Sequence, residues 1–460
     1  MEIFKADLIS VLPNMKIFDK YYVGYSIPQI GKEFDLLRIG THTIINIELK
    51  SDSTLESIKK QLQKNKYYLS FLKREVVCFS YKSKTKELFE LSEQGELSVV
   101  NLRQLIARLA PQNIDDNLQI DSLFKPNNYL VSPFNSTKEF IKGEYFLTNH
   151  QEKIKHNVLK CFDTPDHSIV AIKGKAGTGK TLLTYDIAKH IYKSYEILII
   201  HCGILNQGHS ILRDDYAWNI VPVRDIGSQD FSKFYLIIID EAQRIYPNQL
   251  KHVINQIKLL NKNCIFSYDS VQTLRGTEER NDNSSEIERN LNHTPFELTT
   301  KIRTNKEVAR FIKCLFNNTE VIHKLDYSNV EVNYFENPLN AKSYLQLLNS
   351  HDWKIINYTP SSRHDLPYDD FRIIHETDNA HTVIGQEFNK VVGVIDEHFY
   401  YKSNGKLSTK GYIVKPYYHP TKMLFQILSR TKIKLNIVII KNQEILQRCL
   451  NIMNKSSASS

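Results

Sequence analysis

The sequence predicts an α/β protein of several domains, and three observations predict it. The chain has 460 residues, more than the roughly 100–200 of one domain. Short apolar runs recur between residues 168 and 440 with helical stretches between several of them, the alternation of a parallel sheet. The first of these runs leads into a glycine-rich loop and then a helix. Hydrophobic residues are 41%, charged residues 24%, and prolines 14, which excludes a collagenous, coiled-coil or mostly disordered chain.

The N-terminal stretch, residues 1–130, reads as one α/β domain. Phe34–Ile39 and Thr43–Leu49 form a hairpin around Gly40, and Ser53–Leu72 is an amphipathic helix with Ile58, Leu62, Tyr67 or Tyr68, and Leu72 near one side. Val76–Tyr81 and Leu88–Leu91 are short strands, and Asn101–Leu109 is a further helix. Residues 111–145 are polar, carry three prolines and show no period, so 131–145 is expected to be a linker. The strand-like runs then follow at Ser168–Ile172, Ile197–His201, Tyr235–Ile239, Asn263–Tyr268, Trp353–Tyr358, Lys390–Ile395 and Asn436–Ile440. Residues 396–421 look like a polar insertion with a hairpin around Asn404–Gly405, and 446–460 is expected to be a flexible tail.

The six cysteines form no Cys-x-x-Cys pair, so neither a disulfide framework nor a cysteine zinc site is expected, and a reducing, cytoplasmic setting is. Acids at Glu2 and Asp7, without an apolar run behind a basic flank, do not read as a signal peptide. No run approaches the length of a membrane span. The net charge of +9, from 60 basic and 51 acidic residues, fits a polyanion partner and fits plain solubility equally.

The sharpest chemical pattern is Gly174-Lys-Ala-Gly177-Thr-Gly179-Lys180-Thr181. It fits GxxxxGK[ST] in full, between a strand and a helix. Backbone N–H groups of such a loop converge on phosphate oxygens, Lys180 reaches the outer phosphates, and the Thr181 hydroxyl holds Mg²⁺. Asp240 and Glu241 close the apolar run Leu236–Ile239. Asp240 is expected to hold Mg²⁺ and Glu241 to polarise the attacking water. ATP and Mg²⁺ are the cofactors these residues imply.

With these motifs, residues 146–445 resemble the superfamily 1 helicases and translocases, especially the compact bacterial family with a Schlafen group 3-like domain. The resemblance implies two RecA-like lobes, 146–300 and 301–445. It implies that Gln151, in Phe146-Leu-Thr-Asn-His-Gln151, contacts adenine, and that His201-Cys-Gly-Ile-Leu-Asn206 lies on the nucleic-acid side. Ser267-Tyr-Asp269-Ser-Val-Gln272 resembles a Gly-Asp-x-x-Gln motif with Tyr268 in place of its glycine, and Gln272 then senses the γ-phosphate. Arg303 and Arg430 become the two arginine fingers, and Glu387 lies near the ribose or γ-phosphate. Arg303 and His381 are only 78 positions apart, too few for a large accessory domain, so ATP hydrolysis is the stronger expectation and duplex unwinding the weaker.

In the N-terminal domain, Asp35 lies in the first hairpin strand and Glu48-Leu-Lys50 ends the second. Glu48 and Lys50 point to one face. Two carboxylates and a carbonyl suit Mg²⁺ or Mn²⁺, and Lys50 can orient a water for attack on phosphorus. This resembles the PD-(D/E)xK nucleases, which have a restriction-endonuclease-like α/β fold, with Asp35, Glu48 and Lys50 carried over and Glu33 as an extra ligand. Gln63-Lys-Asn-Lys-Tyr67 has the Gln-x-x-x-Tyr spacing of nucleases fused to helicases, and places Gln63 and Tyr67 on one helix face.

The expectation is therefore an ATP-dependent, helicase-like translocase with a metal-dependent DNA nuclease, in phage defence or DNA repair. DNA is the expected partner with RNA as the alternative, no membrane is involved, and a second copy of the chain or a protein partner remains open. Two alternatives stand beside it: a translocase whose N-terminal module only binds, and an ATP-driven switch acting on a protein.

Overall fold

The structure is a computed structural model that describes residues 1–12, 15–27, 32–114, 118–124, 131–143, 145–164, 166–175, 177–269, 283–299, 305–322, 325–361, 364–414 and 416–454. The chain forms two compact units, Met1–Asn128 and Tyr129–Ser460.

In the first unit, among the described residues, β1 (Tyr22–Ser26), β2 (Glu33–Ile39), β3 (Thr43–Lys50), β4 (Glu75–Lys82), β5 (Glu87–Leu91) and β6 (Leu97–Val100) form one sheet in sequence order. The hairpin pairs Leu36 with Ile47 and Ile39 with Ile44. β3 and β4 are parallel, with Glu48 opposite Ser80, and a parallel pair needs a crossover. The helix Leu55–Ser70 supplies it, started by the Thr54 side chain, which accepts from Ser57 N. Residues on β3 alternate between two covered faces. Ile45 and Ile47 pack with Phe4, Leu8, Leu105 and Leu109 from the helices Glu2–Val11 and Leu102–Leu109. Asn46 and Glu48 face the crossover helix.

In the second unit, β7 (Ile169–Gly174), β8 (Ile197–His201), β9 (Asn219–Pro222), β10 (Leu236–Asp240), β11 (Asn263–Tyr268) and β12 (Phe296–Leu298) form a sheet in the order β12-β7-β11-β10-β8-β9. Every pair in it is parallel. β8 and β10 are buried along their whole length, as strands covered on both faces must be, and each buried Ile or Leu contributes about 1.5–3 kcal/mol. A second parallel sheet joins β13 (Val330–Phe335), β14 (Lys354–Ile355), β15 (Phe388–Ile395) and β18 (Thr431–Ile440) in the order β13-β18-β15-β14. The pair β16 (Phe399–Tyr401) and β17 (Leu407–Thr409) forms the hairpin expected around Asn404–Gly405. The mixed α/β architecture with parallel sheets is that of phosphate-loop lobes. No described helix is long and apolar enough to cross a membrane.

Three expectations change. Residues 131–145 are not a linker: Thr137–Lys142 is a helix, and Phe134, Phe140 and Tyr145 are buried with Tyr185, Leu212 and Trp218. Their aromatic side chains have no sequence period because they dock individually. The expected tail is largely a helix, Gln443–Asn454, which buries Ile445, Cys449 and Ile452 at helical spacing. The run Trp353–Tyr358 contributes only Lys354 and Ile355 to the sheet.

Candidate functional site

β7 ends at Gly174, and the loop that follows enters the helix Lys180–Ile191. Gly177 and Gly179 have φ of +75° and +84°, values glycine reaches without a Cβ clash. The loop is braced by Gln151, whose Nε2 lies 3.3 Å from the Thr178 carbonyl and 3.4 Å from that of Gly179. Gln151 also closes a capping box with Thr148, so both the oxygen and the nitrogen of its amide have partners within the protein. Lys180 is buried; its Nζ donates to the Lys175 carbonyl at 3.3 Å and lies 4.0 Å from an Asp269 carboxylate oxygen. Burial lowers the Lys180 pKa, against the pull of the Asp269, Glu241 and Asp240 carboxylates.

The sheet register sets Asp240 opposite His201 on β8 and Ser267 on β11. The carboxyl edge of the sheet therefore gathers His201, Asp240 and Asp269 beside the phosphate loop, where open parallel sheets bind ligands. His201 Nδ1 is 3.1 Å from Asp240 Oδ2, with both side chains buried. Glu241 follows with φ of +56°, a left-handed backbone that costs a non-glycine residue about 1–3 kcal/mol. Its carboxylate accepts from Gln243 Nε2 at 2.7 Å and Arg244 Nε at 3.4 Å. Burial pushes the Glu241 carboxyl up, but Arg244, Lys180, His201 and Arg430 outweigh it and hold the group below the usual carboxylate value. Gln243 Oε1 accepts from the Asp269 amide at 3.1 Å, tying the two acids into one network.

Arg430, just before β18, donates to the carbonyls of Gln426 and Gln386 and to the Ser429 hydroxyl. Its charge acts on both Lys180 and Glu241. Glu387 N donates to Asn135 Oδ1 at 2.9 Å. Gln272 and Arg303 lie outside the described residues. The oxygens of Thr181, Asp240 and Glu241 are the donor types Mg²⁺ takes.

In the first unit, Asp35 Oδ2 accepts from Leu49 N at 2.8 Å, which fixes that carboxylate beside the Glu48–Lys50 segment. Glu48 is buried and must be compensated. Asn65 Nδ2 donates to its Oε1 at 2.7 Å and Asn46 Nδ2 at 3.2 Å. Gln61 Nε2 and Lys50 Nζ reach its Oε2 at 3.3 Å and 3.5 Å. The helix face is thus Gln61-x-x-x-Asn65, two residues out of register with the expected one. Gln63 instead donates to the Gly95 carbonyl, and Tyr67 packs edge-on against Tyr68 and Phe71. Glu33 is exposed. Among the described residues, no group of three His, Cys, Asp or Glu side chains is placed to hold a metal.

Residues 167–355 match the Schlafen group 3 DNA/RNA helicase domain family. The match covers less than half of the chain and lies wholly outside the first unit. No curated protein matches the chain. Among solved structures, the flagellar accessory protein FlaH of Methanocaldococcus jannaschii is 15% identical over 29% of this chain and 74% of its own, with a TM-score of 0.23. Domain III of the Thermotoga maritima replication initiation protein DnaA is 15% identical over 39% of this chain and 73% of its own, with a TM-score of 0.24. The Pyrococcus furiosus Hef helicase domain is 15% identical over 36% of this chain and 45% of its own, with a TM-score of 0.24. These likenesses are weak and partial. The helicase-like resemblance rests on the family match over residues 167–355.

Several site residues had faint signals in the sequence. Asn65 sits three residues after Leu62 and seven after Ile58, a polar side chain inside an apolar stripe, and Asn46 interrupts an apolar strand. His201 ends a buried strand, as Asp240 does. Asn135 had none, because its partners are about 250 residues away. A cleft of about 680 Å³ opens beside it, lined by Asn135, Trp353, Lys354, Glu387, Lys390 and Lys432 among others.

Proposed function

We propose that the chain is an ATP-driven, helicase-like translocase on nucleic acid, fused to a metal-dependent nuclease of restriction-endonuclease-like fold. The cluster of Lys180, Asp240, Glu241 and Asp269 at the carboxyl edge of a parallel sheet carries the reading. Mg²⁺-ATP, when bound, supplies the reactive phosphoryl group and much of the charge neutralisation. Thr181 and Asp240 are the residues that would hold the ion. Lys180 is held beside the loop to meet phosphate charge. Glu241, kept ionised by its cationic neighbours, can accept a hydrogen bond from the attacking water and polarise it. Arg430 adds a cation from the second sheet, which ties hydrolysis to the relation of the two lobes. Lys390 and Lys432 in the cleft supply charges for a nucleic-acid backbone.

For the first unit, the Asp35–Leu49 bond supports phosphodiester cleavage, because it sets the Asp35 carboxylate on the backbone between Glu48 and Lys50, whose side chains meet at 3.5 Å. A second reading, a module that binds without cutting, is favoured by the four donors that already engage both oxygens of Glu48.

One experiment separates these. ATP hydrolysis and cleavage of single-stranded, duplex and circular DNA and of RNA are followed with Mg²⁺ or Mn²⁺. Wild type, Lys180→Ala and Glu48→Ala are compared. Hydrolysis lost in Lys180→Ala and cutting lost in Glu48→Ala are expected. Hydrolysis without cutting of any substrate selects the binding module, and hydrolysis indifferent to DNA and RNA selects a switch with a protein partner.

A further inference from the structure

The contact that joins the two lobes near Arg430 comes from the stretch that the sequence presents as a linker. Ser132 Oγ lies 3.4 Å from the Gly385 carbonyl. Asn135 Nδ2 donates to Gln386 Oε1 at 3.3 Å, and Asn135 Oδ1 accepts from Glu387 N at 2.9 Å. Three consecutive residues of the second lobe are therefore held by one strap. The Gln386 carbonyl, in the middle of the three, accepts from Arg430 Nη1 at 3.3 Å. Gln386 is fixed from its other end by its Nε2, which donates to the Thr382 carbonyl at 2.9 Å.

The strap itself belongs to the first lobe. Phe134 lies tilted by 33° against His209 with ring centroids 4.0 Å apart and meets Tyr185 edge-on at 5.0 Å. Its backbone approaches Gly208 so closely that a Cβ there would lie 2.3 Å from the Phe134 Cα. A rigid attachment to one lobe and three bonds to the other make the strap a ruler for the position of the 385–387 segment.

We propose that Asn135 is a positioning residue for Arg430: it fixes Gln386 and Glu387 against the first lobe, and so sets where the guanidinium stands relative to Lys180 and Glu241. This rests on the ATPase reading above. Asn135 does not contact Arg430; it holds the Gln386 side chain and the Glu387 amide, and the Gln386 carbonyl accepts from the guanidinium. Its loss should lower turnover and leave nucleotide affinity alone, since the phosphate loop keeps all its own contacts. Asn135 is exposed, so its truncation leaves the core intact.

The test is a double-mutant cycle on ATP hydrolysis by the full chain, with Asn135→Ala, Arg430→Ala and the pair. Asn135→Ala is expected to lower kcat about tenfold with KM for ATP changed less than about twofold, and to add nothing in the Arg430→Ala background. Asn135→Asp keeps the acceptor for Glu387 N and should recover part of the loss. An unchanged kcat in Asn135→Ala, or the same loss in both backgrounds, overturns the proposal alone. Absence of hydrolysis by the wild type overturns the ATPase reading and the proposal with it.

Discussion

The Phe134 ring lies against the α-carbon of Gly385, where a Cβ would come within 2.6 Å of it. Gly385 also has φ of +78°, so two separate constraints require glycine there. Gly385→Ala should therefore push Phe134 out of its place between His209 and Tyr185. Phe134→Ala should lose the buried ring outright, at about 3–5 kcal/mol. Urea unfolding of each variant checks this, and a loss below 1 kcal/mol in Phe134→Ala would mean that the strap is only loosely docked.

Register on the crossover helix is testable in the same way. Asn65→Ala leaves Glu48 Oε1 with Asn46 Nδ2, at 3.2 Å, as a remaining donor, and an under-satisfied buried carboxylate costs about 1–3 kcal/mol. On the proposed nuclease reading, Gln61→Ala should reduce metal-dependent cleavage. Gln63→Ala, which loses only a bond to the exposed Gly95 carbonyl, should change neither stability nor cleavage. The opposite ranking of Gln61 and Gln63 would restore the register expected from the sequence.

At the proposed nucleotide site, Lys180→Ala and Glu241→Gln should each lower ATP hydrolysis by about 10²–10³-fold, the range seen when one charge-stabilising group is removed. Glu241 is held below the usual carboxylate value, so mild acid should not protonate it. Hydrolysis measured from pH 5 to 8 should therefore show no acid limb that Glu241→Gln removes.

Lys189 gives a pH signature for the packing of the strap region. Its ammonium donates to the Phe140 carbonyl at 2.7 Å and lies over the Phe140 and Tyr145 rings, yet burial lowers its pKa to about 8. The unfolded chain, with an ordinary lysine near 10.5, then binds more protons between those two values. Stability contributed at this position therefore rises as pH rises from about 8 toward 10.5. Wild type should gain thermal stability over that window relative to Lys189→Met. Parallel pH profiles for the two proteins would show that the lysine is not desolvated.

What the sequence determined by itself is local. The phosphate loop lies between one strand and one helix, and Asp240 and Glu241 follow one apolar run. Asp35, Glu48 and Lys50 share one hairpin. Each pattern is complete within about twenty residues, and backbone geometry alone brings its members together. The tertiary structure decided the rest. It turned the polar stretch 131–145 into a strap, because Phe134, Phe140 and Tyr145 gain their burial from residues far along the chain. It chose Gln61 and Asn65 over Gln63 and Tyr67, because a helix face is defined by the sheet it packs on and not by a spacing that fits several registers. It turned Gln151 onto the loop's own carbonyls. It also joined Asn135 to Gln386 across about 250 residues, a contact between single polar side chains that leaves no periodic trace in sequence.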